Sequence, residues 1–196
     1  DERIYPASMT KIMTALLTIE NLPDLNETIT VPEDIFEELT AQDASVAGFN
    51  PYEQPTVRDL LYGVLLPSGA DACETLARAV GGSEEGFVAM MNQKAEELGL
   101  TNTHFENCTG LHNDNHYSTC RDIAVLMSEC LKSDTFREIV TREVYTTEAT
   151  ASHPEGITLY DTMLHRFTSY EMSTTLENGA VIEGGKTGFT DEAGQC

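Results

Sequence analysis

The sequence is short of basic side chains, of cysteine and of long apolar runs, and each shortage excludes something. Only 11 Lys and Arg stand against 33 Asp and Glu, a formal net charge of −22 in 196 residues. So acidic a surface repels phosphate backbones and anionic headgroups, so neither a nucleic-acid partner nor a polybasic membrane contact is expected. The five cysteines, Cys73, Cys108, Cys120, Cys130 and Cys196, are too few for a disulfide scaffold and form no C-x-x-C pair. Their odd number leaves at least one thiol free or paired outside the chain. No apolar run approaches the roughly 18 residues of a membrane span. The opening Asp1-Glu2-Arg3-Ile4-Tyr5 lacks the charged-then-apolar layout of a signal peptide, so the signal of an exported form would already have been removed. Repeats, low-complexity tracts and linkers are also missing. With hydrophobic residues at 40 % of the chain, one core-forming domain over 1–196 is expected.

What is present is mostly helical punctuation and periodicity. After Pro6-Ala7-Ser8, the positions Ile12, Ala15, Leu16 and Ile19 follow the i, i+3, i+4, i+7 spacing of an amphipathic helix that ends before Pro23. A short strand is expected over 28–31, a short helix over 32–39 opened by Pro32, and loop from 42 to 54. Thr56-Val-Arg-Asp59 reads as a capping box ahead of an apolar stripe of Val57, Leu60, Leu61, Val64 and Leu65. Pro67 stops that helix and another restarts near Asp71, which leaves Ser68-Gly69-Ala70 as a turn between two buried helices. Ser83, Thr119 and Ser133 each open a further helix, and Gly99 suits a left-handed C-cap. Strands are expected over 142–148 and over 180–190, the second with glycines that admit a ligand's close approach.

Three short motifs carry chemistry. Ser8-Met-Thr-Lys11 is an S-x-x-K tetrad at a helix start, with the lysine amine one turn from the serine hydroxyl. A serine hydroxyl needs a neighbouring base to act as a nucleophile, and a lysine serves when its pKa is lowered by burial or by nearby positive charge. Alone, the tetrad reads more readily as an N-cap beside a solvated lysine. Ser68-Gly69-Ala70 and Lys186-Thr187-Gly188 then follow in the order known for penicillin-binding proteins and class A β-lactamases, apart from Ala70. A different set, His104, Cys108, His112, His116 and Cys120, recurs every four residues as metal ligands on one helix face would. Gly110 and Asn113-Asp-Asn115 break such a helix, so a loop is expected, with a Cys108–Cys120 disulfide as an alternative.

The wording of the motifs goes further. Pro6-Ala-Ser-Met-Thr-Lys-Ile-Met-Thr-Ala15, the run from Thr56 to Gly69, His116-Tyr-Ser-Thr119 and Gly184-Gly-Lys-Thr-Gly-Phe-Thr-Asp191 resemble serine D-alanyl-D-alanine carboxypeptidases, the low-molecular-mass penicillin-binding proteins. The resemblance implies a penicillin-recognising α/β fold, a helical lobe on an antiparallel sheet, with N- and C-terminal sheet strands outside an internal fragment. By position it makes Ser8 the acylated nucleophile, Lys11 its base and Ser68 a proton relay to the leaving amine. Lys186, Thr187 and Gly188 would orient the substrate, and the N–H groups of Ser8 and Phe189 would form the oxyanion hole. Ala70 stands where the family usually has an Asn that contacts substrate. Implied partners are the D-Ala-D-Ala end of peptidoglycan stem peptides and β-lactam antibiotics. Neither a metal nor an organic cofactor is implied. The expected location is extracytoplasmic, with any membrane tether in a segment outside this chain. A β-lactamase is disfavoured because Leu25-Asn26 lacks the Glu of an E-x-x-L-N segment. A non-catalytic wall-binding homologue is the reading that Ala70 favours.

Overall fold

In the computed structural model, which describes residues 2–196, the site is framed by helices. A 3-10 turn, Ala7–Thr10, leads into α1, Lys11–Asn21. The helix is buried nearly all round. Ile12, Met13, Ala15, Leu16 and Leu17 all lie in the core, together with Thr14 and Thr18. An amphipathic helix was the expectation from spacing; the structure places a central one, as a helix apolar on every side requires. Its two buried hydroxyls are satisfied, Thr14 Oγ1 donating to the Cys108 carbonyl at 2.6 Å and Thr18 Oγ1 to the Thr14 carbonyl at 2.8 Å.

Around α1 pack α3 (Val57–Leu65), α4 (Ala70–Gly81), α5 (Glu84–Glu97), α6 (Cys120–Cys130) and α7 (Asp134–Val140). The capping residues act as the sequence indicates. Thr56 and Asp59 form a reciprocal capping box, and the hydroxyls of Ser83, Thr119 and Ser133 each accept an N–H from the first turn of their helix. Such caps contribute roughly 1 kcal/mol apiece. Gly99 takes φ +71°, the left-handed conformation a helix end favours. Helix α2 covers Ile35–Ala41, three residues later than Pro32 suggests. The Val31 N–H donates to the Glu53 carbonyl and the Val31 carbonyl accepts from Tyr52, which holds that stretch extended. The strand expected over 28–31 is reduced to a single bridge, Thr28 to Thr56.

Two small antiparallel sheets complete the chain. β1 (Val144–Thr146) pairs with β2 (Thr158–Tyr160), Tyr145 opposite Leu159. After α8 (Leu164–Ser169), β3 (Phe189–Thr190) pairs with β4 (Gly194–Gln195). The strand expected over 180–190 is therefore corrected: Val181 makes one bridge to Thr175, and a ladder exists only where residues 194–196 lie alongside. Gly184 is tucked against the Val140 carbonyl instead of a neighbouring strand. Among the described residues no helix is long and apolar enough to cross a membrane.

Candidate active site

The nucleophile end is built by α1 and the loop that follows α5. Ser8 is the second residue of the 3-10 turn, where the first backbone N–H groups of a helix lack an internal acceptor. Lys11, 3 % exposed, points its Nζ at Ser8 Oγ at 3.0 Å and at the Thr109 carbonyl at 2.7 Å. Burial lowers the Lys11 pKa, against the opposing pull of Cys73, Cys108 and Asp71. A lysine so placed can accept the serine proton.

The turn that presents Ser8 is strained and braced. Ala7 adopts φ +47°, a sparsely populated conformation for a residue with a Cβ. Gly110, at φ +87°, lies directly against it; a Cβ there would sit inside the Ala7 carbonyl. The loop carrying Gly110 is shaped by Asn107, whose Oδ1 accepts the Gly110 N–H at 2.7 Å and the Thr109 N–H at 3.2 Å. His116 ties the loop to the turn, its Nε2 2.7 Å from Thr10 Oγ1 while Nδ1 accepts the Glu106 N–H at 3.2 Å. Burial drives the His116 pKa down to about 4, so the ring is neutral, with its proton on Nε2. In the sequence Gly110 shows only as a helix breaker, and His116 as a possible ligand and as the first residue of the His116-Tyr-Ser-Thr119 wording. Their partners lie about a hundred residues away.

The second wall comes from the α3–α4 turn. Ser68 adopts φ +67° and is 6 % exposed, and Lys186 Nζ donates to its Oγ at 3.0 Å. Burial first and the charge of Lys11 second bring the Lys186 pKa down to about 7. The Lys186 Nζ also donates to the Thr187 carbonyl at 2.8 Å, and the Thr187 hydroxyl meets that of Thr162 at 2.6 Å. Asp71 accepts three N–H groups from Ala47, Gly48 and Phe49 at 2.7–3.0 Å, fixing the loop after α2 over the site. Ala70, the first residue of α4, lines one cavity of about 80 Å3 with Ser8, Lys11 and Phe189.

Gly188 brings the third element in. A Cβ added there would stand 3.0 Å from the Pro6 carbonyl oxygen and 3.1 Å from the Ser8 nitrogen. Its N–H and C=O both bond Cys196, so the next N–H along the strand, that of Phe189, is directed away from β4. The structure thus brings Ser8, Lys11, Ser68, Ala70, Lys186, Gly188 and Phe189 to one place.

The histidine–cysteine set does not converge. Its members lie in a loop or, for Cys120, at the exposed start of α6. The Cys108–Cys120 disulfide is absent: the Cys108 thiol is buried and donates to Glu74 at 3.4 Å. Glu74, Glu84 and Cys108 lie close enough to share an ion, and burial first, with the neighbouring carboxylates, pushes the Cys108 thiol well up.

Comparison with known proteins decides the family. The family model described as D-alanyl-D-alanine carboxypeptidase, peptidase S11, matches residues 1–196. The chain belongs to this family. Among its relatives, the D-alanyl-D-alanine carboxypeptidase DacF of Bacillus subtilis is 36 % identical over 197 residues, covering 100 % of this chain and 47 % of its own length. A Streptomyces D-alanyl-D-alanine carboxypeptidase is 36 % identical over 204 residues, covering 100 % and 67 % respectively. The crystal structure of a Streptomyces DD-transpeptidase superposes with TM-score 0.84 at 33 % identity, over 100 % of this chain and 74 % of that one. Penicillin binding protein 6B from Escherichia coli superposes with TM-score 0.81 at 28 % identity, over 99 % and 58 %. The chain thus spans about half the length of the Bacillus subtilis carboxypeptidase it matches.

Proposed function

We propose that the protein carrying this chain is a serine D,D-carboxypeptidase that removes the terminal D-alanine of peptidoglycan stem peptides and is acylated by penicillins at the same serine. The observation that carries this reading is the buried Lys11 amine 3.0 Å from the Ser8 hydroxyl, opposite a second buried lysine–serine pair, Lys186 and Ser68, at the same separation. Ser8 Oγ attacks the carbonyl of the penultimate D-alanine and its proton passes to Lys11 Nζ. The oxyanion is held by the N–H groups of Ser8 and Phe189, a stabilisation worth roughly 3 kcal/mol per donor. Collapse breaks the peptide bond, and Ser68 relays a proton to the departing amine. Water then hydrolyses the acyl-Ser8 ester and restores the hydroxyl.

Lys186 and Thr187 receive the terminal carboxylate. With its pKa brought to about 7 by burial and by Lys11, Lys186 gains its proton more readily once that carboxylate arrives. The family's relatives are bacterial proteins named for this reaction, and an enzyme acting on the wall works outside the cytoplasmic membrane. Release of D-alanine from a diacetyl-lysyl-D-Ala-D-Ala peptide by the intact protein, and its loss in Ser8→Ala, tests the reading. Turnover that persists in Ser8→Ala would refute it. Ala70 favours one rival, a penicillin-binding homologue without turnover, which would label with penicillin yet release no D-alanine.

A further inference from the structure

Acylation has its base in Lys11, and the water that later frees Ser8 needs one as well, because water attacks an ester slowly until a neighbouring group takes its proton. Lys11 Nζ is bonded to Ser8 Oγ at 3.0 Å and to the Thr109 carbonyl at 2.7 Å, which places it beside the oxygen that leaves in deacylation. Among the described residues that line the cavity of about 80 Å3 at Ser8, Asp43 alone carries a carboxyl group. Asp43 is exposed, so bulk water reaches it.

The backbone presents this side chain at a cost. Asp43 follows the end of α2 in the left-handed region, at φ +48°. Its N–H donates to the Thr40 carbonyl at 3.2 Å, and the Ala44 N–H donates to the Leu39 carbonyl at 3.0 Å. That pattern closes a helix and favours glycine at the position Asp43 holds, so an aspartate keeps its carboxyl there against backbone strain. Beyond Asp43 the loop is fastened to the second motif. The Ala70 N–H donates to the Ser45 carbonyl at 2.7 Å, and Asp71 accepts the N–H groups of Ala47, Gly48 and Phe49. The chain is thus pinned on both sides of Asp43, at the helix end and at α4.

We propose that Asp43 is the general base of deacylation and takes a proton from the water that attacks acyl-Ser8. The proposal rests on the carboxypeptidase reading. The water oxygen bonds to the acyl carbonyl carbon as Asp43 takes its proton, and the carbonyl electron pair moves onto the oxygen held by the Ser8 and Phe189 N–H groups. Collapse then breaks the bond to Ser8 Oγ, the proton on Asp43 passes to that oxygen, and the product leaves as a carboxylic acid that ionises in water.

The test acylates the intact protein with a fluorescent penicillin, removes the excess, and times the loss of label from Ser8, with Tm measured alongside. Asparagine matches aspartate in size and tolerates the left-handed conformation. In Asp43→Asn the second-order acylation rate is therefore expected to change little, while release of the label slows by about 100-fold. Asp43→Gly relieves the backbone, so Tm is expected to rise while release slows, opposite directions that a purely structural role would not produce. Release at the parent rate in Asp43→Asn, or slowed release in Asp43→Gly accompanied by a lowered Tm, would overturn the proposal and leave the carboxypeptidase reading standing. A parent protein that takes the label and never sheds it would also overturn the proposal. No label on Ser8 of the parent would overturn the carboxypeptidase reading and the proposal with it.

Discussion

Ser8, Lys11 and Ser68 sit on elements packed into the helical core, whereas Lys186, Thr187 and Phe189 sit on a segment that is mostly surface. Between 162 and 196 only Lys186 and Gly188 are buried, α8 buries nothing, and Tyr170 is 74 % exposed. The nucleophile is half-buried and its base buried, and both sit where the 3-10 turn runs into the core helix α1. The strand opposite is held to them by a few polar links: Lys186 Nζ to Ser68 Oγ at 3.0 Å, the Thr162 N–H to the Leu66 carbonyl at 3.2 Å and the Cys196 thiol to the Tyr5 carbonyl at 3.8 Å. Close packing resists displacement because a small shift costs many contacts at once, while a seam of hydrogen bonds yields one bond at a time. Damage to the first half should therefore abolish acylation, and damage to the second should grade it.

The largest effect is expected from Lys11→Ala, which removes the base from a pair that acts as a unit. Penicillin acylation should fall by about 10³-fold or more, read as the second-order rate constant. Two glycine substitutions come next and compare the halves directly. Gly110→Ala drives a methyl into the Ala7 carbonyl and should cost on the order of 100-fold in acylation together with a fall in Tm. Gly188→Ala meets its neighbours at 3.0 Å and can be relieved by a small movement of the looser strand, so roughly tenfold is expected. If Gly188→Ala proved the more damaging, the contrast drawn between the two halves would be wrong.

The contrast also explains what could be read in advance. Caps and apolar stripes are local, so α3 to α7 were visible in the sequence, and the three motifs named the side chains that the fold brings together. β2, β4 and α8 were not, because at three, two and six residues each is too short for a periodic pattern to show. The strand over 180–190 was overread because alternation shows that a segment can pair, not that a neighbour is there. Gly110 was missed because its role is a contact with Ala7 across more than a hundred positions.

A gain of function sharpens the comparison at the seam itself. Ala70→Asn places an amide in the cavity shared with Ser8 and Lys11, where two hydrogen bonds of about 1 kcal/mol each are available to substrate. A rise of about tenfold in kcat/KM for a D-Ala-D-Ala peptide is expected. An unchanged rate would mean that the second motif is organised differently.

The smallest effect concerns Glu74, whose folded-state pKa of about 8 exceeds its ordinary value of 4.5. Between those values the folded protein holds a proton that the unfolded chain releases, so this group's contribution is fully present below about pH 4.5 and is lost as the pH rises through 8. Glu74→Gln should flatten that decline, by on the order of 2 kcal/mol between about pH 5 and 8 in urea unfolding. A decline identical to that of the parent protein would show that Glu74 titrates as an ordinary carboxyl.

The central claim is that Ser8 is the nucleophile and that Lys11, one helical turn on, activates it. Treating the intact protein with a fluorescent penicillin and mapping the labelled peptide by mass spectrometry tests it most directly. The acyl group is expected on Ser8, with no label in Ser8→Ala. A label on Ser68, or on any other residue of the parent protein, would contradict the account.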